Sequence, residues 1–411
     1  MNRRHLRFFA ALSAAVFPLT SAAADALSTG AWSGYAAADA RLFPEAGLYT
    51  DQRQAFVGFS AQPEYYTAWD GDNQSLTVTG FARLDLQDET RSHLDLRELV
   101  WRITRDDWQL KAGISRVFWG VTESRHLVDV INQTDAVEGL DGEDKLGQAM
   151  ANLALYSDWG TLNLFWLPDF RERTFPGEEG RLRPALPVDM AQARYQSAAG
   201  RHHQDFAARW THAFDIDALE AGLDVGVSHF QGTSRTPGYV AFVDDGGRIT
   251  LAPYYDQISQ TGLDLQLTTD AWLWKLEAIT QDAKTADRHT EAVGGFEYTF
   301  VGVMESDADV GLISEYLFDD RGDSSPQPFD NDVMIGARVT LNDVQSTEFI
   351  VGGIVDLESH STVLSVEGSR RIGESWKLSI EGRAYANIDA ADPLYPWRRE
   401  HVLSIEMARY F

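Results

Sequence analysis

The chain has 411 residues, with 62 acidic against 35 basic side chains, a formal net charge of −27 and no cysteine. So acidic a surface repels nucleic acid and offers no phosphate footprint, and a chain without thiols has no disulfide framework. After the first two dozen residues no apolar run approaches the ~20 residues of a helical span, which excludes bilayer-crossing helices.

The N-terminus carries Arg3, Arg4 and Arg7, an apolar stretch from Phe8 to Leu19, and Ala22-Ala23-Ala24 before Asp25. That order of basic, apolar and small residues reads as a cleaved secretory signal over 1–24, its apolar part too short for an anchor. No cysteine is available for lipidation. Three arginines leave with the signal, so 25–411 keeps 32 basic residues against 62 acidic ones. Such an excess suits divalent-cation bridging to an anionic leaflet and favours cationic solutes.

From residue 29 onward the chain alternates with a period of two. Eighteen segments follow, at about 29–43, 52–68, 74–86, 92–104, 107–118, 148–157, 160–170, 203–213 and 218–231, then 257–269, 271–282, 289–300, 308–319, 331–342, 346–357, 361–371, 375–388 and 398–411. In 74–86, Leu76, Val78, Gly80, Ala82 and Leu84 oppose Thr77, Thr79, Phe81, Arg83 and Asp85. In 331–342, Val333, Ile335, Ala337 and Val339 oppose Arg338 and Thr340. Parity changes near Glu98-Leu99, which reads as a bulge. Alternate links are mostly short and turn-like, such as Asp70-Gly71-Asp72-Asn73 and Asn342-Asp343. The links between them include three long ones, at about 119–147, 171–202 and 232–256. Aromatics gather at segment ends, among them Trp272, Trp274, Phe296, Tyr298 and Phe300. They read as an interfacial girdle, with a sugar-stacking track as the alternative.

The last segment ends the chain. Phe411, Met407, Ile405 and Leu403 share one parity, Arg409 departing from it, and polar or small residues take the other. A terminal aromatic on the apolar face resembles the closing strand of bacterial outer-membrane β-barrels. With the signal, the alternation and the loop asymmetry, the resemblance covers the whole mature chain. It implies an all-β fold: a transmembrane, antiparallel, up-and-down β-barrel of about 18 strands, with 16 as the alternative. The class is that of porins and substrate-specific channels, with no motif naming a subfamily. The implied setting is the Gram-negative outer membrane, with lipid and lipopolysaccharide around the barrel and the insertion machinery reading Phe411.

Charges on a lipid-facing parity would each cost up to ~2–4 kcal/mol at mid-bilayer, so those of the opposite parity are wet or paired. Arg83, Asp85, Asp95, Arg97, Arg209, Asp264, Arg338, Glu381 and Arg383 are the pore-lining candidates, and the same face holds Lys275, Glu277, Glu297 and Glu315. Acidic and basic members nearly balance, which predicts modest lumen selectivity. Loop 119–147 opens on Trp119-Gly120, carries the apolar Leu127, Val128, Val130 and Ile131, and supplies Glu123, Arg125, Asp129 and Asp135 as constriction candidates. Apolar side chains in a loop call for something to pack on, so this loop is expected inside the barrel. Loop 171–202 is basic, with Arg171, Arg173, Arg181, Arg183, Arg194 and Arg201. It either sets a transverse field across the pore or binds lipopolysaccharide phosphates.

The expected function is passive diffusion of small hydrophilic solutes. A polysaccharide export barrel and a loop-closed binding or structural barrel are the alternatives, and the balanced lining argues against the first. An enzyme is not expected: G-x-S-x-G, H-E-x-x-H and P-loop patterns are missing from the sequence, and His202-His203-Gln204-Asp205 reads as a strand start. No cofactor is expected. Asp320, Asp323, Asp330 and Asp332 in loop 320–332 offer Ca²⁺ ligands without the full EF-hand spacing, so a solvated acidic loop is preferred.

Overall fold

The computed structural model describes residues 30–244 and 246–411; the signal-peptide reading lies outside them. Period-two segments become strands throughout. These are β1 (Ala31–Leu42), β2 (Ala55–Trp69), β3 (Gln74–Asp85), β4 (His93–Thr104), β5 (Trp108–Ser115), β6 (Gln148–Ser157) and β7 (Gly160–Leu167). Next come β8 (Arg194–Tyr195), β9 (Asp205–Ile216), β10 (Ala221–Thr233), β11 (Gly238–Val243), β12 (Ile249–Tyr255), β13 (Gln257–Thr268) and β14 (Trp272–Ala283). The chain ends with β15 (His289–Phe300), β16 (Asp309–Asp319), β17 (Asn331–Thr340), β18 (Glu348–Asp356), β19 (Thr362–Ile372), β20 (Trp376–Ala386) and β21 (Val402–Tyr410).

Eighteen of these strands form one all-antiparallel sheet. It closes where β1 pairs with β21, from Tyr35 opposite Tyr410 to Leu42 opposite Leu403. The count is therefore 18, not 16. At the seam Phe411 donates its N–H to the Gly34 carbonyl at 3.1 Å. Gly34 has φ +142°, and a Cβ there would collide with the Gln62 carbonyl, so only glycine fits.

Segment boundaries agree with the sequence to a few residues, with one clear difference. The final strand starts at Val402 rather than near 398, because Tyr395–Trp397 forms a 3₁₀ turn around Pro396. The three strands unforeseen from sequence, β8, β11 and β12, make a separate small sheet within the long loops. The bulge falls one residue earlier than expected: Thr79 faces Glu98 and Gly80 faces Leu96, leaving Arg97 as the extra residue.

Short connections gather at one rim and long ones at the other. Outside, the barrel is apolar. Ile335, at 66 % exposure, lies between buried Met334 and Gly336, and Leu84, Val351 and Leu364 are similarly bare. Trp272 stacks on Trp274 at 5.4 Å and meets Tyr298 at 4.6 Å, with Phe296 and Phe300 continuing the cluster. These rings have the parity opposite to Glu277, so they face away from the lumen, as a girdle does and a sugar track does not. Inside, a cluster of Phe165, Phe230, Ile279, Val293, Ile313 and Leu317 receives Trp119, Val128 and Ile131 from the β5–β6 loop.

Replacing Ile335 by Arg puts a charge on the bare outer face and should lower folding stability in bilayers by about 2–4 kcal/mol. Urea titration of vesicle-inserted protein measures it; a change under ~0.5 kcal/mol would contradict the lipid-facing assignment.

Candidate functional site

The β5–β6 connection, 116–147, is stapled at its own neck. Asn132 accepts from the Val117 N–H at 2.8 Å and donates to the Ser115 and Leu146 carbonyls, each at 2.9 Å. Backbone bonds from Asp135 to Asp144 (2.7 Å) and Leu146 to Gln133 (2.8 Å) zip the two arms together. The loop is thus an ordered body.

Two wall carboxylates hold its first arm. Glu277 on β14, fully buried, accepts the N–H groups of Val121 (2.7 Å), Thr122 (3.0 Å) and Val128 (3.2 Å) and the Thr122 hydroxyl (2.8 Å). Glu315 on β16 accepts the N–H groups of Glu123 and Ser124, each at 2.8 Å, and the Ser124 hydroxyl at 2.6 Å. A buried carboxylate is tolerable only when its lone pairs are filled, and charge-assisted bonds to backbone N–H fill them. Gln260 adds a bond to the Leu127 carbonyl at 3.2 Å, and Arg235 one to the Ile131 carbonyl at 3.0 Å. Arg338 meets Glu123 at 2.7 Å, and Arg125 meets Glu291 at 3.0 Å.

The second arm meets β1–β4 through charge. Arg83 pairs with Asp39 and, at 2.7 Å, with Glu138. Arg91 pairs with Asp85 at 2.8 Å, and the bulged Arg97 with Asp135 at 2.6 Å and Asp95 at 3.2 Å. Arg171, from the β7–β9 connection, joins at Asp95 (2.5 Å), and Thr174 donates to Asp135 at 2.7 Å. Between this arm and the strands β20, β21 and β1–β4 lies a cavity of about 240 Å³, lined among others by Tyr35, Arg41, Phe81, Asp144, Glu381 and Glu406.

The structure thus gathers most of the sequence-derived candidates but distributes them. Arg83 and Asp85 share one ion-pair group through Asp39 and Arg91, and Asp95, Arg97, Asp135 and Arg171 form a second, with His93 between them at 3.6 Å from both Glu138 and Asp135. Arg209 and Asp264 form a two-pronged pair at 2.7 and 2.8 Å, with the guanidinium 5.1 Å from the Trp119 ring centroid. Glu123, Arg125 and Arg338 tie the loop to the wall, and Asp129 pairs with Lys145 at 3.1 Å. The Arg173 N–H donates to the Tyr255 hydroxyl at 3.1 Å. Glu381 stands with Glu367 and the loop residue Asp141, the three offering oxygens within 4.8 Å of one another.

The basic loop does not act as a block. Buried Arg181 bonds Glu400 at 2.6 Å, and Arg183 stacks on Tyr49 at 4.0 Å, so both are engaged in contacts between loops. His202 and His203 take separate partners, Asp169 at 3.0 Å and Asp205 at 2.8 Å. Of the acidic residues in 320–332, Asp330 and Asp332 converge with Asp356 to within 4.8 Å, while Asp320 and Asp323 stay outside that group. The roles of Glu277 and Glu315 were missed as site residues: their inward parity was legible, but nothing in sequence pairs them with amides 155 and 191 or 192 positions away.

These features define a closed antiparallel β-barrel of porin architecture with a loop crossing its interior. No family model and no curated protein matches the chain. Among solved structures it is similar to OccK8 (OprE) of Pseudomonas aeruginosa, at 10% identity over 94% of this chain and 98% of that one, with a TM-score of 0.50. It also matches a mutant of the Rhodopseudomonas blastica porin at 10% identity, covering 93% of this chain and all of that one, with a TM-score of 0.44. At such identity the likeness is one of fold.

His126 sits in the first arm with Nε2 3.1 Å from Glu143 and Nδ1 3.8 Å from Glu277. Although burial opposes its charge, these two carboxylates push its pKa up to about 9 from the usual 6.5. A raised histidine stabilises fully below the unfolded value and loses that contribution as pH rises through about 9. Trypsin should therefore cut after Arg125 faster at pH 10 than at pH 7.5, relative to a peptide standard. In a His126→Gln protein the pH dependence should vanish; equal rates in the wild type would refute the clasp.

Proposed function

We propose that the chain is a channel for passive diffusion of small hydrophilic solutes across the bacterial outer membrane. One observation carries the reading: the interior loop packs on the apolar half of the wall and leaves an unfilled charged cavity against the other half. An 18-strand barrel is too wide for side chains to fill, so what the loop leaves open is water-accessible. The loop then acts as the constriction, with Glu123, Arg125, Asp129 and Asp135 placing it and Glu381 and Arg383 lining the route beside it. Lipid and lipopolysaccharide surround the barrel, and Phe411, 65 % exposed at the end of β21, is the residue offered to the insertion machinery. A loop-closed binding barrel is the second reading, favoured by the Arg181–Glu400 tie between loops.

Purified protein in a planar bilayer tests this. Stepwise ion current is expected, and a Glu277→Ala/Glu315→Ala double variant should raise single-channel conductance about twofold by releasing the loop from the wall. No current from the pure protein ends the channel reading and leaves the closed barrel; unchanged conductance in the double variant places the loop outside the limiting section.

A further inference from the structure

The near balance of acidic and basic residues on the inner face predicts little preference between ions, but the pairing of those charges alters that expectation. Resting on the channel reading above, we infer that the passage between the loop and β20–β21 with β1–β4 admits cations in preference to anions. Its arginines are cancelled from behind. Arg83 has Glu138 at 2.7 Å as well as Asp39; Arg91 has Asp85 at 2.8 Å and Asp39 at 3.3 Å; Arg97 has Asp135 at 2.6 Å and Asp95 at 3.2 Å. Asp85, Asp95 and Asp135 are almost wholly enclosed, so they neutralise the arginines without themselves facing the route. Arg116 lies 3.9 Å from Glu98. A permeating anion therefore meets guanidinium groups whose charge is already answered.

The carboxylates of the same stretch have no such answer. Asp141, Asp144, Glu367, Glu381 and Glu406 form no ion pair among the described residues, and one oxygen of Glu381 is enclosed without a hydrogen-bond partner. Asp141, Glu367 and Glu381 converge from the loop, β19 and β20. Among the described residues that line the cavity, Arg41 forms no ion pair and donates instead to the Glu138 carbonyl; Arg383, on β20 two residues from Glu381, likewise forms none. Carboxylates outside ion pairs thus outnumber such cations beside this cavity, and low-dielectric walls focus their field along the axis. A mobile cation satisfies those oxygens; the facing cations Arg102 and Lys111, and Arg371 and Lys377, do not line this cavity.

The test is the reversal potential of the full mature protein in a neutral-lipid bilayer under a roughly tenfold KCl gradient, where a K⁺ over Cl⁻ permeability ratio of about 3 or more is expected. An Asp141→Asn/Glu381→Gln double variant should bring that ratio down by about half. A reversal potential at zero, or on the chloride side, overturns the inference and leaves the channel reading intact; so does an unaltered ratio in the double variant. Absence of any current overturns the channel reading itself. If the double variant fails to insert, the sign of the wild-type reversal potential still decides.

Discussion

The constraint from which the rest follows is that backbone N–H and C=O groups in hydrocarbon have no water to bond. An open sheet would leave two unpaired edges in lipid. The chain avoids this by bringing β1 against β21, so that each of its eighteen wall strands has a partner on both sides. Closure then fixes the period: alternate side chains meet lipid, and those between them meet the interior. It also brings the charged parity into a space too wide to be filled from the wall alone.

That interior dictates the loop. Carboxylates such as Glu277 and Glu315 face inward deep in the barrel, where an unpaired charge is costly. The loop meets that demand with a run of backbone N–H groups, and its apolar residues cover the neighbouring Ile279, Ile313 and Leu317. Wall and loop are complementary in both polarity and shape. The same logic divides the barrel into an apolar half that the loop occupies and a charged half that it does not.

The wall was almost wholly legible in the sequence, because period two is a strong local signal that repeats eighteen times and each turn limits its neighbours. The bulge was misplaced by one residue, since Arg97 and Glu98 are both polar and parity alone does not say which is extra. Loop structure was less legible. The β11–β12 hairpin has the right residue types, but it lies in a connection whose ends carry no barrel register. The site was legible as a parity and not as a set of contacts. Inward Glu277, Glu315 and Glu381 look alike in sequence, yet two anchor the loop and one lines the cavity beside it, a difference set by which strands the loop reaches. Equally, the count of inward charges was readable while their pairing was not, and pairing sets the local field.

The seam shows how loops complete what the ladder begins. Barrel neighbours elsewhere are joined by a covalent connection, short or long, whereas β1 and β21 are held to each other by pairing alone. On the long-loop side, the connection that follows β1 and the one that precedes β21 stand side by side, and Arg181 from the β7–β9 connection lies between them. Its guanidinium donates to Glu400 at 2.6 Å, to the Arg399 carbonyl at 3.0 Å, and to the Glu45 and Arg53 carbonyls at 3.1 and 3.2 Å. It also lies 4.3 Å from the Phe43 ring centroid. One buried cation thereby ties both flanks of the seam, with its charge answered by Glu400 and its remaining donors by carbonyls. Its planar fork of donors suits three or more acceptors at once, which a lysine does not match. The conspicuous basic loop therefore has a structural use in Arg181 that its composition did not disclose: it fastens from above the one junction in the wall that the chain itself does not connect.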